Sequence, residues 1–142
     1  MLKTMQLIVV LCITCFSSIV VASKDAKVEV VENYIKALNT KDITIISSMY
    51  SKNATLEDPV GTPIKQGHEQ IMNFYKEGAF QGDIAAELSG PIRIAGDSAA
   101  FSFVVFFNGM KIEVIDVFVF DQRDKVTSMK AYWSNANVSP IK

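Results

Sequence analysis

The run Ile112-Glu113-Val114-Ile115-Asp116-Val117-Phe118-Val119-Phe120 decides the fold. Period-two alternation puts Ile112, Val114, Asp116, Phe118 and Phe120 on one face of a strand. That face is apolar at every position except Asp116. A carboxylate there would lose its hydration with little in return, so the neutral acid is favoured and its pKa is expected to rise. Two other readings exist for such a residue: an Asp turned to solvent at a strand edge, or one paired with a buried Lys or Arg. No cation lies inside this run. A neutral carboxyl group in an apolar pocket is a hydrogen-bond donor, and such donors stabilise developing negative charge. The rest of the chain is then expected to supply a base and a second donor.

Outward from this strand, the second half of the chain is strand-like. Four runs are expected, 84–94, 99–108, 110–121 and 125–134, separated by Ala95-Gly96-Asp97, Asn108-Gly109 and Gln122-Arg123-Asp124. Asn-Gly is the preferred dipeptide of a tight hairpin, so the runs read as an antiparallel meander. Phe101, Phe103, Phe106 and Phe107 are expected in the core, with Phe101 and Phe103 on one face beside Phe118; Met129 is read as core too. The polar tail from Ser134 is expected to fray.

The first half is helical. Val28, Val31, Tyr34 or Ile35, and Leu38 recur at three and four over 25–39, so Tyr34 falls on the apolar stripe and its hydroxyl needs a partner. Asn39-Thr40-Lys41-Asp42 breaks the pattern and caps a second helix over 43–50. Ser51-Lys52-Asn53 reads as a turn. A short strand from Ala54 then enters the loop Glu57-Asp58-Pro59-Val60-Gly61-Thr62-Pro63, where Pro59 biases Asp58 to an extended backbone. A third helix over 68–77 has Ile71, Phe74 and Tyr75 at core spacing. The class is therefore α+β: three N-terminal helices packed in a curved, mainly antiparallel sheet, a cone with an apolar mouth.

At 142 residues there is room for one domain. A basic Lys3, an apolar run over 5–21 and small residues at Ala22 and Ser23 read as a secretory signal peptide, residues 1–23, cut after Ala22 or Ser23. The domain is then 24–142, secreted and with no membrane in its mature form. An uncleaved anchor helix is the rival, for which a run of about 17 residues is at the short limit. Both cysteines, Cys12 and Cys15, fall in this leader. The mature domain is thus expected to lack a disulfide, a Cys nucleophile or a Cys-based metal site. The formal charge of −1 and pI near 5.8, with no basic stripe, argue against nucleic acid as a partner. His68, the one histidine, reads as a surface residue before a helix. There is no His pair, Gly-rich phosphate loop or Ser-His-Asp arrangement, and no metal is expected. Two sequons, Asn53-Ala54-Thr55 and Asn137-Val138-Ser139, are acceptors for glycans in a eukaryotic secretory pathway.

Five segments occur in order at consistent spacing: Tyr34-Ile35-Lys36-Ala37-Leu38-Asn39, Glu57-Asp58-Pro59-Val60-Gly61, Ile71-Met72-Asn73-Phe74-Tyr75, Val114-Ile115-Asp116-Val117 and Ala131-Tyr132-Trp133-Ser134. With them the chain resembles bacterial-type ketosteroid isomerase, within the NTF2-like, SnoaL-like superfamily, from about Val28 to Val138. The resemblance implies Asp58 as general base, with Tyr34 and protonated Asp116 as oxyanion donors. This family is itself the usual illustration of a carboxylic acid kept neutral at neutral pH. The resemblance places Tyr50 and Tyr75 where aromatic residues extend a hydrogen-bond network to the catalytic tyrosine, and Trp133 beside the base and the ligand. Phe101, Phe103 and Phe118 would support the ligand. It implies a cofactor-free, homodimeric isomerase moving a double bond into conjugation with the ketone of a steroid-like or other hydrophobic ligand. The family is mostly intracellular, and the leader departs from it. Alternatives within the superfamily are a non-catalytic carrier of a hydrophobic small molecule and a SnoaL-like polyketide cyclase. Taken singly, Asp58 before a proline is also an ordinary turn residue, and Tyr34 an ordinary core tyrosine.

Overall fold

In the computed structural model, which describes residues 25–141, helix caps and turn residues divide the chain largely where its local chemistry dictates. The leader and both cysteines lie outside the described residues. Helix α1 (Ala26–Thr40) starts at Asp25, whose carboxylate accepts from the Lys27 backbone N–H, and stops at Lys41 in the left-handed region. Asp42 caps α2 (Ile43–Met49) by accepting from the Thr44 and Ile45 N–H groups. Strands β1 (Tyr50–Glu57) and β2 (Lys65–Gln66) flank the loop of Asp58, and α3 (Gly67–Glu77) follows. Then come β3 (Ile84–Leu88), β4 (Arg93–Ala95), β5 (Ser98–Phe107), β6 (Met110–Phe120), β7 (Val126–Tyr132) and β8 (Val138–Pro140). Among the described residues no helix is long and apolar enough to cross a membrane.

The sheet order is β2-β1-β7-β6-β5-β3, with β4 also on β5 and β8 also on β6. All pairs are antiparallel except β1 with β7. Asn108 and Gly109 both have positive φ, 48° and 82°, as a two-residue hairpin between β5 and β6 requires. The α+β architecture is as expected, a curved sheet closed over three helices.

Four local expectations are corrected. The run 84–94 splits into β3 and β4, because Pro91 has no N–H for the ladder and Gly90 lies so close to β5 that a Cβ would meet the Ser102 hydroxyl at 2.8 Å. Residues 51–53 are not a turn but an irregular part of β1, where its register against β7 shifts between Tyr50 and Thr55. The tail does not fray. Strand β7 pairs with β6 only from Ile115 to Phe120, and β8 takes the edge left open at Met110, Lys111 and Ile112. A capping box at Ser134 and Asn137 turns the chain into it, which engages the side chain of the second sequon; Asn53 of the first is exposed. Phe106 is only half-buried and falls on the opposite face of β5 from Phe101 and Phe103, as period two requires.

The core lies between the helices and the concave face of the sheet, where Val31, Leu38, Ile46, Leu56, Ile71, Phe101, Phe118 and Met129 are buried. Strand β3 ends the sheet, and α1 is fastened there by Asn39. Its carboxamide donates to the Ala86 carbonyl at 2.8 Å and accepts from the Ala86 N–H at 2.8 Å. It occupies a sheet edge as a further strand would. Asn39→Ala leaves both groups without that partner and is expected to lower unfolding free energy by about 1–2 kcal/mol in urea titrations. An unchanged midpoint would mean that water replaces the amide at no cost.

Candidate active site

Helical spacing on α1 turns Val31, Tyr34 and Leu38 to the sheet. The Tyr34 ring sits in an aromatic box, edge-on to Phe118 at 5.2 Å, Phe103 at 6.0 Å, Phe101 at 6.1 Å and Tyr75 at 6.5 Å between centroids. Four rings around one phenol leave it little freedom, which aims its hydroxyl. Burial, with the carboxyl of Asp116 nearby, pushes the Tyr34 pKa well up, so it stays a phenol and a donor. Tyr50 and Tyr75 share a hydrogen bond of 2.9 Å between their hydroxyls, and burial raises both pKa values as well.

Asp116 is the one fully buried charged-type residue among those described, 0% exposed between Phe101 and Ala131 on the neighbouring strands. Neither of its oxygens has a hydrogen-bond partner among the described residues. Burial first, and repulsion from Asp58 second, push its pKa well above the carboxylate range; the neighbouring Tyr34 hydroxyl pulls the other way without overcoming them. The residue is a carboxylic acid with a free proton to donate.

Asp58 follows the end of β1 in a tight loop, with its peptide bond to Pro59 cis. The Val60 N–H donates to the Ala131 carbonyl at 2.8 Å, which ties the loop to β7. The Trp133 indole N–H donates to Asp58 Oδ1 at 2.7 Å. Burial raises the Asp58 pKa, while this hydrogen bond and the charge of Lys65 oppose the rise. Burial raises both carboxyl groups, Asp116 well above the carboxylate range, while Asp58 keeps partners that favour its ion.

Tyr34, Asp58, Tyr75, Asp116 and Trp133 border one cavity of about 320 Å³, and the rest of its wall is apolar. Of the residues expected to support a ligand, Phe103 borders it directly. Phe101 and Phe118 stand behind Tyr34, and Tyr50 behind Tyr75. Phe74, Ile84, Val105, Phe107 and Ile112 are also in the wall, and the sequence alone does not single them out as ligand contacts. Period two on β5 already puts Val105 and Phe107 on the face of Phe103. A wider groove of about 890 Å³ runs between α2 and α3 and includes His68, whose Nε2 lies 3.2 Å from the Ser47 hydroxyl. None of the ionisable residues that line it is buried. A carboxylate base and two buried donors around one apolar cavity can remove a proton from a ligand carbon while holding the oxygen that takes up the charge.

A SnoaL-like domain matches residues 31–129. The Steroid Delta-isomerase of Nocardioides simplex is 38% identical over 109 residues, covering 73% of this chain and 86% of that protein. Among solved structures, that of SalBIII, described as an epoxide hydrolase/cyclase-like enzyme in pyran ring formation in polyether salinomycin, superposes with a TM-score of 0.76 at 24% identity. It covers 82% of this chain and 96% of that one. That likeness is one of fold.

The buried acid has a consequence for stability. In the unfolded chain an aspartic acid ionises near pH 4, whereas folded Asp116 keeps its proton to higher pH. The folded state then binds the extra proton, so the contribution of Asp116 to stability is greatest below about pH 4 and falls as pH rises toward the folded pKa, by at most ~1.4 kcal/mol per pH unit for one group. Asp58 acts in the same direction. Asp116→Asn removes its share, so urea unfolding between pH 4 and 8 should fall less steeply for the variant than for the wild type. Parallel curves would mean that folded Asp116 is ionised.

Proposed function

The chain belongs to the SnoaL-like domain family, and on that footing we propose that it is a cofactor-independent isomerase that converts a 3-oxo-Δ5-steroid to its Δ4 isomer. The observation that carries this reading is Asp116, an unpartnered acid in an apolar wall, bordering the same cavity as the Trp133-bound Asp58. A carrier of hydrophobic ligands has no use for an unsatisfied buried donor, which lowers stability. A dienolate oxygen has. The 38% identity to a Steroid Delta-isomerase supports the same reaction class.

Asp58 takes the proton from the carbon between ketone and alkene. The C–H electron pair moves toward the carbonyl, and the oxygen of the resulting dienolate accepts hydrogen bonds from Tyr34 and Asp116. Asp58 then returns the proton to the far carbon of the dienolate, which leaves the alkene conjugated with the restored ketone and the carboxylate as it began. Both donors are in place before charge develops, so no reorganisation is needed when it does.

Export with loss of the first 22 or 23 residues, and a homodimer, complete the proposal. The outer face of the sheet supports the second: Ile115 and Tyr132 are register partners on β6 and β7 and are 50% and 48% exposed. Native mass spectrometry of protein recovered from the medium of an exporting host is expected to give a dimer of chains starting at Ser23 or Lys24. Full-length monomers would count against both.

Ultraviolet absorbance tests the chemistry directly. Wild type mixed with a Δ5-3-ketosteroid is expected to produce the conjugated enone band, and Asp58→Asn to lose nearly all of that rate. Tyr34→Phe and Asp116→Asn are each expected to cost about 10²–10³ in kcat. Tight binding without conversion would make the protein a carrier. Absence of both would remove the steroid and favour another enolisable ketone, as a polyketide cyclase would take.

A further inference from the structure

Glu57 and Asp58 are neighbours in sequence with opposite surroundings. The Asp58 side chain borders the cavity. Glu57 turns its carboxylate onto the loop that follows, where Oε1 accepts from the Gly61 N–H at 2.8 Å. Gly61 has a φ of +96°, a conformation that L side chains rarely adopt, and this turns its N–H to the acceptor. The Thr62 N–H bonds the Pro59 carbonyl at 3.1 Å and closes the turn. The loop thus rests on two fixed points, the Val60 bond to β7 and the Gly61 bond to Glu57, with the base at its start.

We propose that Glu57 is a positioning residue for Asp58: by holding Gly61 it sets the loop so that the carboxylate of the base meets both Trp133 and the ligand. This rests on the reading of Asp58 as base given above. The Glu57 side chain is 15% exposed, and its other oxygen lies 3.8 Å from Nζ of Lys130, which is 49% exposed. A pair so long and so solvated contributes little. The contact with Gly61 is therefore the part that matters, and it needs an acceptor at Oε1 rather than a charge.

The chain has one tryptophan, so the indole N–H signal of Trp133 in a ¹⁵N–¹H spectrum reports the bond to Asp58 without assignment ambiguity. Glu57→Met keeps the length of the side chain but cannot accept from Gly61; Glu57→Gln keeps the acceptor and drops the charge; Lys130→Met removes only the ion pair. Glu57→Met is expected to move the indole signal toward its position in Asp58→Ala and to raise the acid limb of the kcat profile. Its kcat should fall about ten- to a hundredfold, with KM within about twofold, because a misplaced base affects the proton transfer more than the binding of an apolar ligand. Glu57→Gln and Lys130→Met are expected to stay close to wild type in all three readouts.

An indole signal and kcat unchanged in Glu57→Met would overturn the proposal, as would a shifted signal with full activity. Losses as large in Glu57→Gln as in Glu57→Met would assign the effect to charge and overturn it too. If Glu57→Met does not fold, Glu57→Ala replaces it; loss of fold in both would make the contact a requirement of folding and exclude a separate positioning role. Should wild type turn over no steroid, the isomerase reading fails alone, and the indole signal still decides whether Glu57 sets the Asp58–Trp133 bond.

Discussion

A buried carboxyl group that no hydrogen-bond partner among the described residues satisfies is the constraint on which this structure turns. Asp116 in its charged form would be far too costly in the apolar wall of the cavity, and even as a neutral acid without a partner it forgoes about 1–3 kcal/mol of hydrogen bonding. The fold tolerates this because the aromatic rings beside it are buried and packed on one another. Phe101 and Phe118 meet at 5.1 Å, both press on Tyr34, and all three are buried. A residue that breaks the local rule for a core strand is held by neighbours that obey it, a conflict characteristic of functional sites.

The second carboxyl group is treated differently by the same fold. Asp58 leaves the end of β1, where the chain changes from ladder to loop, and so meets donors that a strand interior cannot offer. Trp133 reaches it from just beyond β7, and the loop itself is tied to β7 through Ala131. The parallel pairing of β1 and β7 is what brings these together, since it places the ends of both strands on one side of the sheet. Asp58, its indole donor and the buried acid thus depend on three adjacent strands, β1, β7 and β6, while α1 lays Tyr34 across them.

The cavity wall is secured at the edges of the sheet. Phe107 and Ile112 flank the Asn108-Gly109 hairpin, and β8 bonds to β6 at Met110, Lys111 and Ile112, with the Ile141 N–H on the Gly109 carbonyl at 3.0 Å. On the other side Asn39 fixes α1 to β3. Both contacts satisfy backbone groups that a free edge would leave open, and both hold residues that border the cavity. Edge protection and pocket formation are served by the same contacts.

Period and turn chemistry are local, and what depends on them was legible along the chain. Alternation over 112–120 isolated Asp116 among apolar neighbours, Asn108-Gly109 marked the hairpin, and the spacing on 25–39 put Tyr34 inward. Pro91 and the alternation that turns Phe106 outward are equally local signals, masked by the many apolar residues around them. Other features have no local signature. The tail became β8 only because β7 is shorter than the strand it pairs with, and 51–53 are carried within β1 because Tyr50 before them and Thr55 after them pair with β7. Asp58 and Trp133, 75 residues apart, meet through the parallel pairing of β1 with β7. By itself the sequence determined which groups are acidic, aromatic or donating and which face of its own element each occupies, because side-chain direction repeats every two or 3.6 residues. Only the tertiary structure decided which of them share a cavity and which remain unpaired, because that depends on strand partners and closed loops, and these are selected by the packing of the whole domain.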